Sequence, residues 1–275
     1  MAQHTLKSHA FNTTVLVAAL GYFVDIYDLQ LFNIVSKESL RGIGITDPAL
    51  IDKYDYVLFN WQMTGMLIGG IIWGVLGDRL GRKSVLFGSI VLYSLANIAN
   101  GFVTTIEQYE VVRLLAGLGL AGELGAAITL VSEIMTKENR GYGTMIIVAT
   151  GALGAVVANL VSRAFDWQVA YFIGGGLGLL LLVLRVGTFE SGMFDKVRET
   201  KVQKGNFFML FTSWNRFAKY LACIVIGLPV WFCIGILIKF SEKFAAATGV
   251  TGDVRVGNSI MYAYLGLSFG DLLSG

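Results

Sequence analysis

The stretch Gly74-Val75-Leu76-Gly77-Asp78-Arg79-Leu80-Gly81-Arg82-Lys83 sets one acid, three bases and three glycines between two long apolar runs. Glycine permits backbone shapes that other residues resist, so the segment reads as one tight polar turn. Asp78 stands at the end of a run, where it can pair with the bases or cap a neighbouring helix. The runs on either side, 56–77 and 84–104, each reach the roughly 20 residues that a helix needs to cross about 30 Å of hydrocarbon. Working outward, comparable runs occur at 11–35, 109–135, 144–165, 169–186, 217–238 and 256–275, giving eight candidate spans. A membrane β-barrel would show alternating segments of about ten residues instead. Backbone polar groups in lipid must be satisfied within the segment, so the runs are predicted to be helices. The first is too long for a cleaved signal peptide and carries Asp25 and Asp28.

Composition agrees. The chain has 275 residues, 55% hydrophobic and 15% charged, with mean hydropathy +0.66. Soluble domains carry about 25% charge. The fold class is therefore all-α, a polytopic transmembrane helical bundle. A formal net charge of +2 implies no nucleic-acid surface. Cys223 and Cys233 share one apolar run and make neither a metal-ligand pattern nor a disulfide framework. His4 and His9 stand outside the bilayer and form no metal site. There is no phosphate-binding glycine loop and no nucleophile–base pair, so no cofactor and no enzyme activity are expected.

Lys and Arg accumulate on the cytoplasmic side of membrane proteins. With the N-terminus inside, thirteen of them fall inside and seven outside, with Arg113 within a span. This bias predicts a cytoplasmic N-terminus. Two connections are long: residues 36–55 outside, and residues 188–215 inside, whose middle is expected to form an amphipathic surface helix. The second divides a six-helix unit, 1–187, from a unit that starts at 216. Gly65 and Gly69, Gly70 and Gly74, Gly117 and Ala121, and Gly174 and Gly178 repeat a spacing of four, which lets helix backbones approach closely in lipid.

Charges within the spans are costly, about 2.5–3.5 kcal/mol each on insertion scales, and usually face a cavity or a partner. Asp28 and Arg113 lie at depths within roughly 5 Å of each other at about 1.5 Å per helical residue. Their pairing would serve proton coupling, a structural ion pair, or neither if Asp28 faces a pore. Asp25 is three residues from Asp28, on nearly the same face, and such carboxylates tend to share a proton. Glu123, mid-span, is a candidate proton or substrate ligand, or an interhelical hydrogen bonder. Glu133 is placed to pair with the turn at 79–83. Tyr27, Trp61 and Gln62 are candidates for the wall of a substrate cavity. Asp271 has no clear role.

The opening stretch matches every fixed position of Gly-x-Leu-x-Asp-Arg-x-Gly-Arg-Arg/Lys and so resembles the major facilitator superfamily loop. Arg113-x-x-x-Gly117-x-Gly119, then Glu133 and Arg140-Gly141, resemble that family's fourth helix and following loop. Glu190-Ser191-Gly192 resembles the Glu-Ser-Pro of its sugar and metabolite porters. Asp25-Ile26-Tyr27-Asp28 resembles the first helix of its aromatic-acid and metabolite symporters, with Ile26 in place of glycine. The resemblance runs from the first helix to the end of the chain. It implies two six-helix bundles around a midplane site, and a cytoplasmic latch built from Gly74, Asp78, Arg79, Gly81, Arg82, Lys83, Glu133 and Arg140. It implies a secondary transporter, a proton-coupled symporter of a sugar, carboxylate or other metabolite, in a bacterial inner membrane. Uniport and a non-transporting structural role are the alternatives. Twelve helices need roughly 400 residues, so the remaining C-terminal helices of the same protein are expected as the missing partner, with a solute, a proton and the lipid bilayer as the other partners.

Overall fold

A computed structural model describes residues 2–123, 125, 140–189 and 206–274, and those residues are helical apart from short connections. The helices are α1 (Ala2–Gly42), α2 (Pro48–Leu80), α3 (Arg82–Asn100), α4 (Ile106–Leu120), α5 (Arg140–Ala164), α6 (Trp167–Phe189), α7 (Trp214–Phe232), α8 (Ser241–Ala247) and α9 (Val256–Ser274). A 3-10 turn, Phe207–Phe211, precedes α7, and a π-helical turn, Cys233–Ile238, continues it. Among the described residues each apolar run coincides for most of its length with helix; the run 109–135 is described only at 109–123 and 125. Among the described residues four helical stretches are long and apolar enough to cross a membrane: Val15–Gly42, Gly141–Ala164, Trp167–Val186 and Trp214–Ile238.

Two connections differ from expectation. The stretch 36–55 is mostly helix, because α1 runs on to Gly42 and α2 starts at Pro48. The Asp47 side chain accepts from the Ala49 amide at 2.9 Å. Pro48 occupies the first turn, where its missing N–H costs nothing. The turn at 74–83 is likewise a single residue. α2 stays helical through Leu80, and α3 begins at Arg82. Gly81 joins them at φ +92°, which side chains with a Cβ rarely adopt.

α1 packs chiefly on α5 and α6, α2 on α4, and α3 on α4 and α6; α9 lies against α5. The small-residue spacing explains the tightest seam. A Cβ on Gly65 would strike the backbone of Leu114 and Leu118, and one on Gly117 would strike the backbone of Gln62 and Met66. Gly70 and Gly74 meet nothing, so of the four small-residue pairs only that one is not a helix contact among the described residues. The apolar core sits between the helices in two main groups, one around Tyr27, Phe32, Tyr109 and Tyr171, the other around Val24, Tyr93, Leu120 and Ile260. No residue of α7 is buried by the described residues.

Candidate functional site

α1, α2, α3, α4 and α6 bring their polar residues to a common interior. Asp28, Gln62, Asn97, Asn100, Arg113, Glu123 and Arg185 are all at most 2% exposed, and Asp25 is 6% exposed. Burial this complete demands partners, since an isolated charge in an apolar medium is very costly. Some of these groups have partners and some do not.

Arg113 is held by neutral groups. Its Nε donates to Asn100 Oδ1 at 3.1 Å and its Nη1 to Gln62 Oε1 at 3.4 Å. The guanidinium also lies over the rings of Phe32, Tyr171 and Tyr109, at 5.0, 5.1 and 5.8 Å from their centroids. Aromatic faces attract a cation, most strongly where water is absent. Arg113 makes no ion pair with Asp28, although it lies close enough to act on that charge. Neither oxygen of Asp28 has a hydrogen-bond partner, and neither has Arg113 Nη2. Asn97 lies beside Asp28, with its amide nitrogen also unpartnered. The backbone of α6 comes close here too: a Cβ on Gly174 would strike Asp28 Oδ1.

Glu123 has a partner that the sequence reading did not find. Arg185 on α6 donates to it through both terminal nitrogens, Nη1 to Oε2 at 2.8 Å and Nη2 to Oε1. This two-point geometry is the strong form of the carboxylate–guanidinium contact. The pair fills the space beside Gly21, where a Cβ would strike both groups. Asp25 stands within electrostatic reach of Glu123, Asp28 and Arg185, and its Oδ1 has no hydrogen-bond partner. Arg185 counts in the sequence among the thirteen basic residues on the inner side, because its apolar run ends at 186. α6 extends to Phe189 and carries Arg185 inward.

The three residues expected to line a substrate cavity are placed differently from one another. The Tyr27 hydroxyl donates to the Ala170 carbonyl at 3.0 Å, tying α1 to α6. Gln62 Oε1 accepts from Arg113 Nη1 at 3.4 Å, while its Nε2 has no hydrogen-bond partner. Trp61 is 39% exposed and stands apart from the buried network, because adjacent helical positions point about 100° apart.

Of the expected latch, Gly74, Asp78, Arg79 and Gly81 lie at the α2–α3 junction. Asp78 and Arg79 are exposed and engaged in interactions. The side chains of Arg82, Lys83 and Arg140, and the whole of Glu133, lie outside the described residues, as does the expected surface helix between 190 and 205. At residues 121–122 α-helical geometry is interrupted, where Gly122 N bonds Gly119 O at 3.2 Å in a tightened turn, and residues 123 and 125 are helical again.

The family model of the Major Facilitator Superfamily matches residues 18–275. The chain belongs to the Major Facilitator Superfamily. Members similar to it include the "Putative niacin/nicotinamide transporter NiaP" of Bacillus subtilis, 27% identical over 232 residues, which cover 79% of this chain and 53% of that protein. The "4-hydroxybenzoate transporter PcaK" of Pseudomonas putida is 34% identical over 199 residues, covering 68% and 43%. This superfamily chain thus spans about half the length of these relatives. Among solved structures, a D-xylose-proton symporter matches with a TM-score of 0.62 at 17% identity, covering 94% of this chain and 67% of that one. At that identity the match shows the fold alone. Superfamily membership and the apolar helices make this a multi-pass membrane protein.

Proposed function

We propose that the intact protein is a secondary transporter that carries a small organic acid together with a proton by alternating access. The observation that carries this reading is Asp28: a fully buried carboxyl that accepts no well-formed hydrogen bond, with the Asn97 amide beside it and an arginine held elsewhere within reach. Burial and the charge of Arg113 act on its protonation in opposite senses, so a solute or a helix movement that changes either can tip the balance. Asp25 adds a second carboxyl, and the Glu123–Arg185 pair fixes the chain just after α4 to α6 beside it. The solute class is supported by the relatives, since niacin and 4-hydroxybenzoate, whose names they bear, are both small aromatic carboxylates. Arg113 Nη2, which has no acceptor, is the donor we assign to the solute carboxylate.

The remaining assignments follow the same reading. The N-terminus lies in the cytoplasm of a bacterial cell and the protein in its inner membrane. Residues 1–187 form one bundle and 188–215 a linker, and a second bundle begins at 216. The α2–α3 junction is the cytoplasmic latch. Rocking of the bundles exposes the midplane site to each side in turn.

The test is uptake into proteoliposomes of the intact protein under an imposed pH gradient, with labelled 4-hydroxybenzoate, nicotinate and xylose. One of the acids is expected to accumulate. Asp28→Asn is expected to abolish accumulation driven by the gradient while sparing solute exchange. Normal accumulation by Asp28→Asn would remove the coupling role, and uptake of xylose alone would remove the acid.

A further inference from the structure

A second polar assembly adjoins the site just described, toward the end of the molecule that carries the Gly42–Asp47 turn; the Phe32 ring borders both, 5.0 Å from the Arg113 guanidinium and 5.2 Å from Lys239 Nζ. A cavity of about 420 Å³ opens there, walled by α1, α2 and α5 on one side and by the segments around Lys239, Glu242 and Val256 on the other. That volume is within the range of small-molecule sites. Cationic side chains in its wall outnumber acidic ones by six to three.

Ion pairs across this cavity fasten the first six helices to those that follow. Lys37 meets Glu242 at 2.6 Å, and Lys243 meets Asp52 at 3.0 Å; both pairs are partly exposed. Lys239 meets Asp55 at 2.8 Å, and here both side chains are at most 4% exposed. Lys239 also donates to Ser36 Oγ at 3.4 Å and lies over the Phe32 and Phe59 rings, at 5.2 and 5.9 Å from their centroids. Exposed pairs contribute little, whereas parting a buried one strands a desolvated charge. The two halves therefore cannot separate at this end unless Lys239 finds another anion. The same wall offers a second unfilled contact: Asn33, nine-tenths buried, has an Oδ1 with no donor.

We infer that this cavity is an entry docking site for the carboxylate of the transported acid, which takes the place of Asp55 on Lys239 as the halves part and passes from there to Arg113. Asn33 Oδ1 receives a hydroxyl or N–H of the same solute. The π-helical turn Cys233–Ile238 ends immediately before Lys239, and such wide turns re-aim the residues that follow them. The inference rests on the reading of the solute as an organic acid. It adds that Asp55 is the solute's competitor and Lys239 its ligand.

The experiment uses the intact protein in detergent, with Cys223 and Cys233 replaced by serine and Asn159→Cys in the cavity wall as reporter. Maleimide labelling of the reporter measures opening, and titration with 4-hydroxybenzoate and its neutral analogue 4-hydroxybenzamide measures binding. Asp55→Asn removes the competitor and is expected to speed labelling and to tighten 4-hydroxybenzoate binding by about tenfold. Lys239→Gln is expected to speed labelling and to weaken that binding by about 30-fold, as loss of a buried charge partner does. The amide should bind alike in all three. The double variant Asp55→Lys with Lys239→Asp keeps a pair and should restore slow labelling, which guards against misfolding of the single variants. Equal weakening by Asp55→Asn and Lys239→Gln would overturn the inference, leaving the pair structural. Unchanged labelling in both would remove the lock. If the unaltered protein binds neither 4-hydroxybenzoate nor nicotinate, the acid reading fails and the docking role falls with it, while labelling still decides the lock.

Discussion

Glu123 and Arg185 lie 62 positions apart in the chain and meet in a buried two-point contact. Removing one partner of such a pair leaves the other as an uncompensated charge, a loss of about 3–5 kcal/mol. Glu123→Gln is therefore expected to lower the melting temperature sharply, read by fluorescence-detected gel filtration after heating. Replacing both residues by leucine should recover most of that loss. Transport by the double variant then separates a structural pair from one the cycle uses. Tyr27→Phe should cost only about 1 kcal/mol, the usual net value of one hydrogen bond, because its hydroxyl serves the Ala170 carbonyl. A large loss of solute affinity in Tyr27→Phe would restore this ring to the binding site. Glu123 and Asp28 could be read from the sequence because a charge within an apolar run is conspicuous. Arg185 could not, since it sits near the end of its run, where a basic residue is the ordinary flank of a span. Only the extension of α6 to Phe189 makes it interior.

At the scale of elements, the α2–α3 junction is the informative case. Gly81 and Gly74 belong to the same short stretch but differ physically. Gly81 has φ +92° with open space around it, so a Cβ meets no atom and the cost of alanine is backbone strain, on the order of 1–3 kcal/mol. Gly74 lies inside α2, also in open space, where alanine favours the helix by about 1 kcal/mol. Gly81→Ala is thus expected to lower thermal stability and Gly74→Ala to raise it slightly, as differential scanning in detergent would record. The reverse order would mean that the junction takes another backbone shape. The apolar runs announced the helices well, because lipid leaves a spanning chain no other hydrogen-bonded option. Helix ends were less legible. The stretch 36–55 is too polar to read as membrane-spanning, so its helical character depended on a local cue, Asp47 followed by Pro48.

For the molecule as a whole, what matters is how the helices after residue 206 join those before residue 190. Besides the ion pairs around Lys239, Gln30 donates to the Tyr264 hydroxyl at 2.8 Å, and Ser268 donates to the Ala149 carbonyl at 2.8 Å. Each is worth about 1 kcal/mol. Tyr264→Phe combined with Ser268→Ala is expected to weaken this joint and to broaden the separation of spin labels placed on α5 and α9, measured by pulsed electron resonance. An unchanged distribution would show that apolar packing alone holds the joint. Neither contact was legible beforehand, because both depend on which faces of distant helices meet.

The wide turn at Cys233–Ile238 acts as a phase offset in an otherwise regular screw. Each residue of an α-helix advances the direction of its side chain by about 100°. Excising a single amino acid from that turn would dial Lys239 away from Asp55 without altering either side chain, so a one-codon deletion there should mimic loss of the lysine itself.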